Sequence, residues 1–175
     1  MQRQKSKKQI TGSDSFGNGE LKIMNLHSII ALMIKWSVPF LNVFRNPPPW
    51  PFSFDELGCM EQGTLGRALY GFLTSREPGY LPKYEVHDAY HALLGYNTTV
   101  TDELRLQAFM WGNGNSTFAG RILFVLGYVL FAGKRKVLQQ DIEKGRTAMP
   151  LKGYSVADMI PLDLSQLRIE LCIEC

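Results

Sequence analysis

Two of the three histidines in this 175-residue chain stand four residues apart, as His87 and His91. Residues i and i+4 of a helix lie one above the other, so the two imidazoles are expected to be neighbours. Both fall on the helix face expected to point inward, where they cannot both be charged and where each needs a polar partner. A divalent cation meets this need, because each neutral imidazole offers it one nitrogen lone pair.

A carboxylate from the following helix is expected to complete this site. The loop after His91 is short, so the next helix returns antiparallel and Glu103, in its first turn, reaches the level of His91. The pattern is His-Asp-x-x-His, eleven residues, then Glu. Nitrogen and carboxylate donors suit Zn²⁺ and also admit Mn²⁺ or Fe²⁺. Asp88 is either a fourth ligand or a residue that orients a histidine from behind. Three or four protein ligands with a coordination position left open indicate a catalytic rather than a closed structural site.

Other interpretations of these residues remain. The histidine pair could be a surface or capped pair that binds no metal. A metalloprotease of the His-Glu-x-x-His type needs a glutamate where this chain has the shorter Asp88. A His-Asp phosphohydrolase needs an upstream histidine, and the sequence offers only His27, in an apolar segment. The spacing of Cys172 and Cys175 suits thiol or zinc chemistry, but no second cysteine pair accompanies them.

The elements that position these residues are predicted to be helices. Neither an alternating strand pattern nor an internal repeat is found, so the fold class is an all-α, single-domain bundle of about six or seven helices. Residues 1–20 are expected to be a disordered, flexible basic tail, and residues 21–175 the helical domain. Thr101 is the expected N-cap of the helix that carries Glu103. The predicted helices cover residues 22–45, 55–74, 82–95, 101–111, 117–132, 134–146 and 163–173. In the second of these, Gly63 and Gly66 either allow another backbone or a ligand to approach closely or break the helix.

Charge and hydropathy narrow the classes of partner. Four basic residues lie in the first eight and the rest of the chain is close to neutral, so binding to nucleic acid is not expected. Three cysteines without a clean signal peptide fit a reducing, intracellular compartment. The apolar stretches 23–44 and 118–133 contain charged residues and read as helices that are buried or rest on a membrane surface. The basic residues 134–136 suit either an anionic headgroup layer or a helix C-terminus.

The chain resembles the ubiquinone (coenzyme Q) biosynthesis protein 4 family, most of all its compact bacterial members. The family signature is matched by His87, Asp88, His91 and Glu103. The segment 63–66 with Tyr70, the Gly-rich basic segment 144–151 and the last helix 161–171 also resemble the family. The resemblance covers residues 50–173.

This resemblance implies an α-helical fold, a zinc-type site at those four residues and peripheral attachment to a membrane. It implies metal-dependent, lyase-type loss of the C1 carboxyl group of a polyprenylated hydroxybenzoate, with or without oxidation, and contact with other quinone-biosynthesis enzymes. The expected location is the cytoplasmic face of a membrane, or the matrix side of the mitochondrial inner membrane in a eukaryote. The alternative is a non-catalytic scaffold that binds prenyl lipid and has a structural metal.

Further residues and partners follow from this hypothesis. Tyr84 and Tyr90, on the histidine helix, are weak candidates for a proton donor. The apolar stripes of the helices at 22–45, 55–74 and 117–132 could line a groove for an isoprenoid tail, with two glycines giving room. The alternative, favoured for any individual residue, is that these stripes form the core. A second copy of the chain, as a homodimer, is left open as a partner. The groove residues are Gly63, Leu65, Gly66 and Leu69.

Overall fold

The computed structural model describes residues 49–76 and 83–174. These residues form eight α-helices and a short 3₁₀ helix and contain no strand, which confirms the predicted all-α class. The predicted tail (1–20), the predicted helix at 22–45, His27 and Cys175 lie outside the described residues. In chain order the helices are α1 Phe54–Cys59, α2 Leu65–Thr74, α3 Glu85–Leu94, α4 Val100–Gly112, α5 Phe118–Leu130, the 3₁₀ helix Ala132–Lys134, α6 Arg135–Thr147, α7 Val156–Met159 and α8 Leu164–Glu170.

The predicted single helix over 55–74 is two helices, α1 and α2. The chain turns at Gly63, whose φ of 93° is readily adopted only by a residue without a side chain. Thr64 then caps α2, because its side chain accepts a hydrogen bond from the Arg67 N–H. The spacing of apolar residues continues across this break, so hydrophobic periodicity by itself predicts one continuous helix here.

Two smaller differences concern helix ends and short elements. The N-cap of α4 is Thr99 instead of Thr101, since the Thr99 side chain accepts from the Asp102 N–H. Both threonines are suitable caps, and the choice between them depends on where the preceding loop ends. Helix α7 was not predicted, and its four residues are too few to show a period.

Helix α4 separates two groups of buried side chains. One group joins α1, α2, α3, α7 and α8 to one face of α4, where Phe109 is fully buried. The other group lies between α4, α5 and α6 and includes Leu104, Phe124 and Leu138. Helix α4 is therefore held from both sides, which makes its N-terminal turn a firm support for a functional residue.

Helices α4 and α6 cross at two glycines. A Cβ atom on Gly145 would lie 2.1 Å from the Phe109 carbonyl oxygen, and one on Gly112 would lie 2.0 Å from the Ile142 carbonyl oxygen. Neither position leaves room for a methyl group, so the backbones touch directly. Among the described residues, none of the helices combines the length and the hydropathy needed to cross a bilayer.

Candidate metal centre

Helix α3 carries both histidines and is fixed at its C-terminal end. Gly95 adopts a left-handed conformation with a φ of 70°, and its N–H donates to the His91 carbonyl oxygen. Arg168 of α8 donates through Nε to the Leu93 carbonyl oxygen at 2.7 Å. These contacts satisfy carbonyl groups that the end of a helix leaves free, and they hold the last turn of α3 in place.

The N-terminal turn of α4 places Glu103 opposite α3. The Glu103 N–H donates to the Thr99 carbonyl oxygen at 2.9 Å, and the Asp102 N–H donates to the Thr99 hydroxyl at 3.1 Å. Acidic residues in this turn are favoured by the helix dipole. The capped turn therefore directs one carboxylate toward the two histidines.

The structure brings His87, His91 and Glu103 together. The imidazole centroids lie 4.7 Å apart. His87 Nε2 is 3.3 Å from Glu103 Oε2, and His91 Nε2 is 3.2 Å from Glu103 Oε1. One ligand atom from each residue can be chosen so that all three lie within 4.8 Å of one another. The His91, Glu103 and His87 side chains are 0%, 14% and 29% exposed, so the group opens to solvent beside His87.

The hydrogen bonding of His91 shows that this group fits a cation. His91 Nδ1 lies 3.3 Å from the Tyr96 carbonyl oxygen, which can only accept a hydrogen bond, so we assign the ring proton to Nδ1. Nε2 is then a lone pair that faces a carboxylate, and it is buried without a hydrogen-bond partner. Two acceptors at this distance repel each other unless a metal ion or an added proton lies between them.

The electrostatics of the metal-free group favour a charged pair. Burial by itself lowers the pKa of His87, but the nearby carboxylates of Asp88 and Glu103 outweigh it and raise that pKa from 6.5 to about 9. Burial by itself raises the pKa of Glu103, and the two imidazoles outweigh it and lower that pKa. His87 thus carries a proton at neutral pH in the absence of metal, and a metal ion must displace it.

Asp88 is not part of the group formed by the other three residues. Both of its oxygens accept hydrogen bonds from Arg76, at 2.8 Å and 2.5 Å. Its Oδ1 lies 3.6 Å from His87 Nδ1, on the side of the ring opposite the nitrogen that faces Glu103. Both oxygens of Asp88 are thus engaged by Arg76, and its role as a fourth ligand or as an orienting residue stays a prediction.

The two tyrosine candidates occupy different places. Tyr84 stands at the N-cap position of α3, and its ring meets the His87 ring edge-on at 6.2 Å between centroids. The Tyr90 hydroxyl accepts a hydrogen bond from Asn115 Nδ2 at 3.2 Å, and burial raises its pKa. Tyr84 therefore lies beside the histidines, whereas the Tyr90 hydroxyl is directed to the segment after α4.

The four residues predicted to line a lipid groove also separate. Leu65 and Leu69 are fully buried in the core. A Cβ on Gly66 would meet the Met60 sulfur and Ile160, so that glycine serves close packing. Gly63 borders an open cavity of about 470 Å³ along the outer face of α2, far more open than a typical enclosed ligand pocket.

Three residues near the histidines were not singled out from the sequence. The Phe72 ring stacks on the His91 ring at 5.2 Å between centroids and an interplanar angle of 17°. The Arg76 guanidinium group donates to the Asp88 carboxylate, and the Tyr96 carbonyl oxygen accepts a hydrogen bond from His91 Nδ1. Phe72 lies on α2 and Arg76 lies just beyond its end, and only the packing of α2 on α3 shows that this part of the chain meets the histidine helix.

Comparison with known proteins gives a similarity of fold. No protein-family model matches the chain, and no curated protein matches it. A solved structure of a provisionally assigned ubiquinone biosynthesis protein from Nostoc punctiforme PCC 73102 has the same overall fold, with a TM-score of 0.56 and 22% sequence identity. The match covers 86% of this chain and 82% of that chain. At this level of identity the similarity is one of fold.

Proposed function

We propose that the chain is a metal-dependent protein of prenylated-quinone biosynthesis that removes the C1 carboxyl group of a polyprenylated hydroxybenzoate. The proposed metal site is supported by one observation above all: His91 Nε2 and the Glu103 carboxylate, both hydrogen-bond acceptors, face each other. Zn²⁺ is the favoured ion, with Mn²⁺ or Fe²⁺ as alternatives, because the donors are two nitrogens and a carboxylate. The substrate class is supported by the resemblance of the sequence motif and by the fold shared with the Nostoc protein.

The reaction needs a bond between the ring carbon C1 and the carboxyl carbon to break. Its electron pair stays on the ring, CO₂ leaves, and a proton takes the vacant position at C1. In the oxidative form a water molecule supplies the hydroxyl group that replaces the carboxylate, CO₂ and one proton are released, and two electrons pass to an added two-electron acceptor. A bound metal would act as a Lewis acid toward the substrate oxygens. Tyr84 is the better placed proton donor of the two tyrosines, because its ring contacts His87.

Release of labelled CO₂ tests the proposal. Zinc-loaded protein is mixed with a prenylated hydroxybenzoate that carries carbon-13 in its carboxyl group, with and without an added oxidant, and the gas is analysed by mass spectrometry. We expect labelled CO₂ from the wild type and none from Glu103→Gln with its fold intact. If neither protein releases CO₂ and Glu103→Gln loses both zinc and stability, the non-catalytic scaffold with a structural metal is favoured.

The proposed location of the protein is a membrane surface, and the exposed side of helix α5 supports this proposal. Its outer side carries large apolar residues in the open, of which Phe118 is 80% exposed. Exposed basic residues at 134–136 follow directly, where they would meet anionic headgroups. We place this face on the cytoplasmic side of a membrane, or on the matrix side in a mitochondrion. The exposed apolar residues of α5 are Phe118, Ile122, Val125, Leu126, Val129 and Leu130.

Vesicle binding tests this surface with a matched control. Val129 on α5 and Ile169 on α8 are each 60% exposed, so an aspartate at either site has a similar direct effect on folding. We expect the full chain to sediment with vesicles containing phosphatidylglycerol, and Val129→Asp to lose this binding while Ile169→Asp keeps it. If both variants bind the vesicles equally well, helix α5 does not contact the membrane. A wild-type dimer that Val129→Asp dissociates would assign the same face to a second copy of the chain.

A further inference from the structure

Arg76, just after the end of α2, contacts the candidate metal centre through the residue next to the first histidine. Its guanidinium group binds both oxygens of Asp88, with N–O distances of 2.8 Å and 2.5 Å. The side chains are 13% and 2% exposed, so this ion pair is largely removed from water. Asp88 Oδ1 in turn lies 3.6 Å from His87 Nδ1, a buried atom without a hydrogen-bond partner of its own. One route from Arg76 therefore leads to His87.

A second route leads from Arg76 to the other histidine. The Arg76 guanidinium carbon lies 5.2 Å from the centre of the Phe72 ring, a distance typical of a cation–π contact. The Phe72 ring also stacks on His91. Phe72 lies on the last turn of α2 and Arg76 lies two residues beyond its end at Thr74. This end of α2 therefore places an aromatic ring against one imidazole and a guanidinium group against the residue next to the other.

The two hydrogen bonds from the Arg76 guanidinium group determine the orientation of the Asp88 carboxylate. An arginine that binds both oxygens of a carboxylate fixes its position and its plane, which a single hydrogen bond does not. Held in this way, Asp88 faces Nδ1 of His87 and leaves Nε2 of the same ring to face Glu103. A carboxylate behind a histidine ligand orients the ring and makes it a stronger donor.

We propose that Arg76 is a positioning residue of the metal centre, which holds Asp88 behind His87 and supports Phe72 against His91, so that the ion is bound by His87, His91 and Glu103 without Asp88. This inference rests on the proposed metal site. It makes the pattern His-Asp-x-x-His…Glu a three-ligand site with one supporting carboxylate. At least one coordination position then remains for a substrate oxygen.

Zinc affinity and the visible spectrum of the Co²⁺-loaded protein test the inference. The full chain without a histidine tag is compared with Arg76→Gln, Arg76→Lys, Asp88→Asn and the double variant Arg76→Gln/Asp88→Asn. Arg67→Gln is the matched control, because Arg67 is an arginine of α2 itself that donates to a carbonyl group and stacks on an aromatic ring, away from the histidines. Circular dichroism checks that each variant is folded.

We expect Asp88→Asn to bind one zinc ion with an affinity reduced roughly 10- to 100-fold, and to keep the Co²⁺ spectrum of the wild type. Arg76→Gln should lose affinity by a similar factor, Arg76→Lys should lie between it and the wild type, and the double variant should be no worse than either single one. Arg67→Gln should bind as the wild type does. If Arg76→Gln does not fold, the double variant and Arg76→Lys carry the test, because neither leaves a buried carboxylate without a partner.

Two results would overturn the inference. If Asp88→Asn changes the Co²⁺ spectrum as Glu103→Gln does, Asp88 is itself a ligand. If the Arg76 variants bind zinc with the affinity of the wild type, Arg76 has no role at the metal. A wild-type protein that binds no divalent metal would instead remove the proposed metal site, so the failure of the two proposals can be told apart.

Discussion

Replacement of Glu103 by glutamine tests the centre most directly, because glutamine keeps the shape of the side chain and removes its charge. Glu103 supplies the only carboxylate among the three clustered residues, and each of its oxygens faces one imidazole. The variant therefore keeps two nitrogen donors and loses the charged one. We expect zinc to stabilise the wild type strongly and Glu103→Gln only weakly.

The size of the effect follows from binding linkage. At free zinc equal to 100 times the dissociation constant, the folded state gains about 2.7 kcal/mol. For a chain of this length each kcal/mol raises the melting temperature by about 2–4 °C, which gives a shift of about 5–11 °C. Residues behind the ligands already change metal affinity by up to about 100-fold, so a direct ligand should change it at least as much. At the same zinc concentration the variant then gains about 0.4 kcal/mol, or about 1 °C.

Thermal unfolding followed by circular dichroism measures both shifts. Each protein is compared with its own chelator-treated form, which removes the effect of the substitution on the metal-free protein. Glu143→Gln is the control, because Glu143 is an exposed glutamate on α6 that pairs with Arg146. The reasoning is refuted if zinc shifts Glu103→Gln as much as the wild type, or if it shifts none of the three proteins.

Three further outcomes are expected. Folding raises the pKa of His87 from 6.5 to about 9, so its contribution to the stability of the metal-free protein is complete below pH 6.5 and is lost as the pH rises through 9. Stabilisation by zinc grows over the same pH range. Denaturant titrations at several pH values measure both effects. Gly145→Ala should lower the free energy of unfolding by roughly 1–3 kcal/mol, because its methyl group would overlap a carbonyl of α4, whereas Gly133→Ala, with open space around it, should not. Tyr96→Phe removes a 2.6 Å hydrogen bond to buried Asp141 and should cost roughly 1–2 kcal/mol without changing zinc affinity, because the carbonyl group that binds His91 remains.

The part of the centre that rests on local rules could be predicted from the sequence. The i, i+4 spacing places His87 beside His91, and a short loop after Gly95 returns the chain so that Glu103 faces them. Each step needs only helix geometry and a cap. The same rules predicted helices α3 to α6 to within a few residues.

The rest depends on how distant helices pack. The sequence leaves open whether Asp88 joins the two histidines or pairs elsewhere, and in the structure its carboxylate pairs with Arg76, which follows the end of a different helix. Leu65 and Leu69 belong to an apolar stripe that looks the same whether it faces a core or a lipid, and the packing of α2 against α3 buries them. Single-sequence patterns carry no signal for either outcome, because both are decided by contacts between segments far apart in the chain.

The division of labour among the helices explains why the centre is built this way. Helix α3 is held at its C-terminal end by Arg168, and α4 is packed on both sides, so the candidate ligands come from two firmly held helices. Phe72, on the last turn of α2, stacks on His91, and Arg76, two residues beyond the end of that helix, binds Asp88 beside His87. The three candidate ligands therefore come from α3 and α4, whereas the residues packed behind the histidines come from the end of α2.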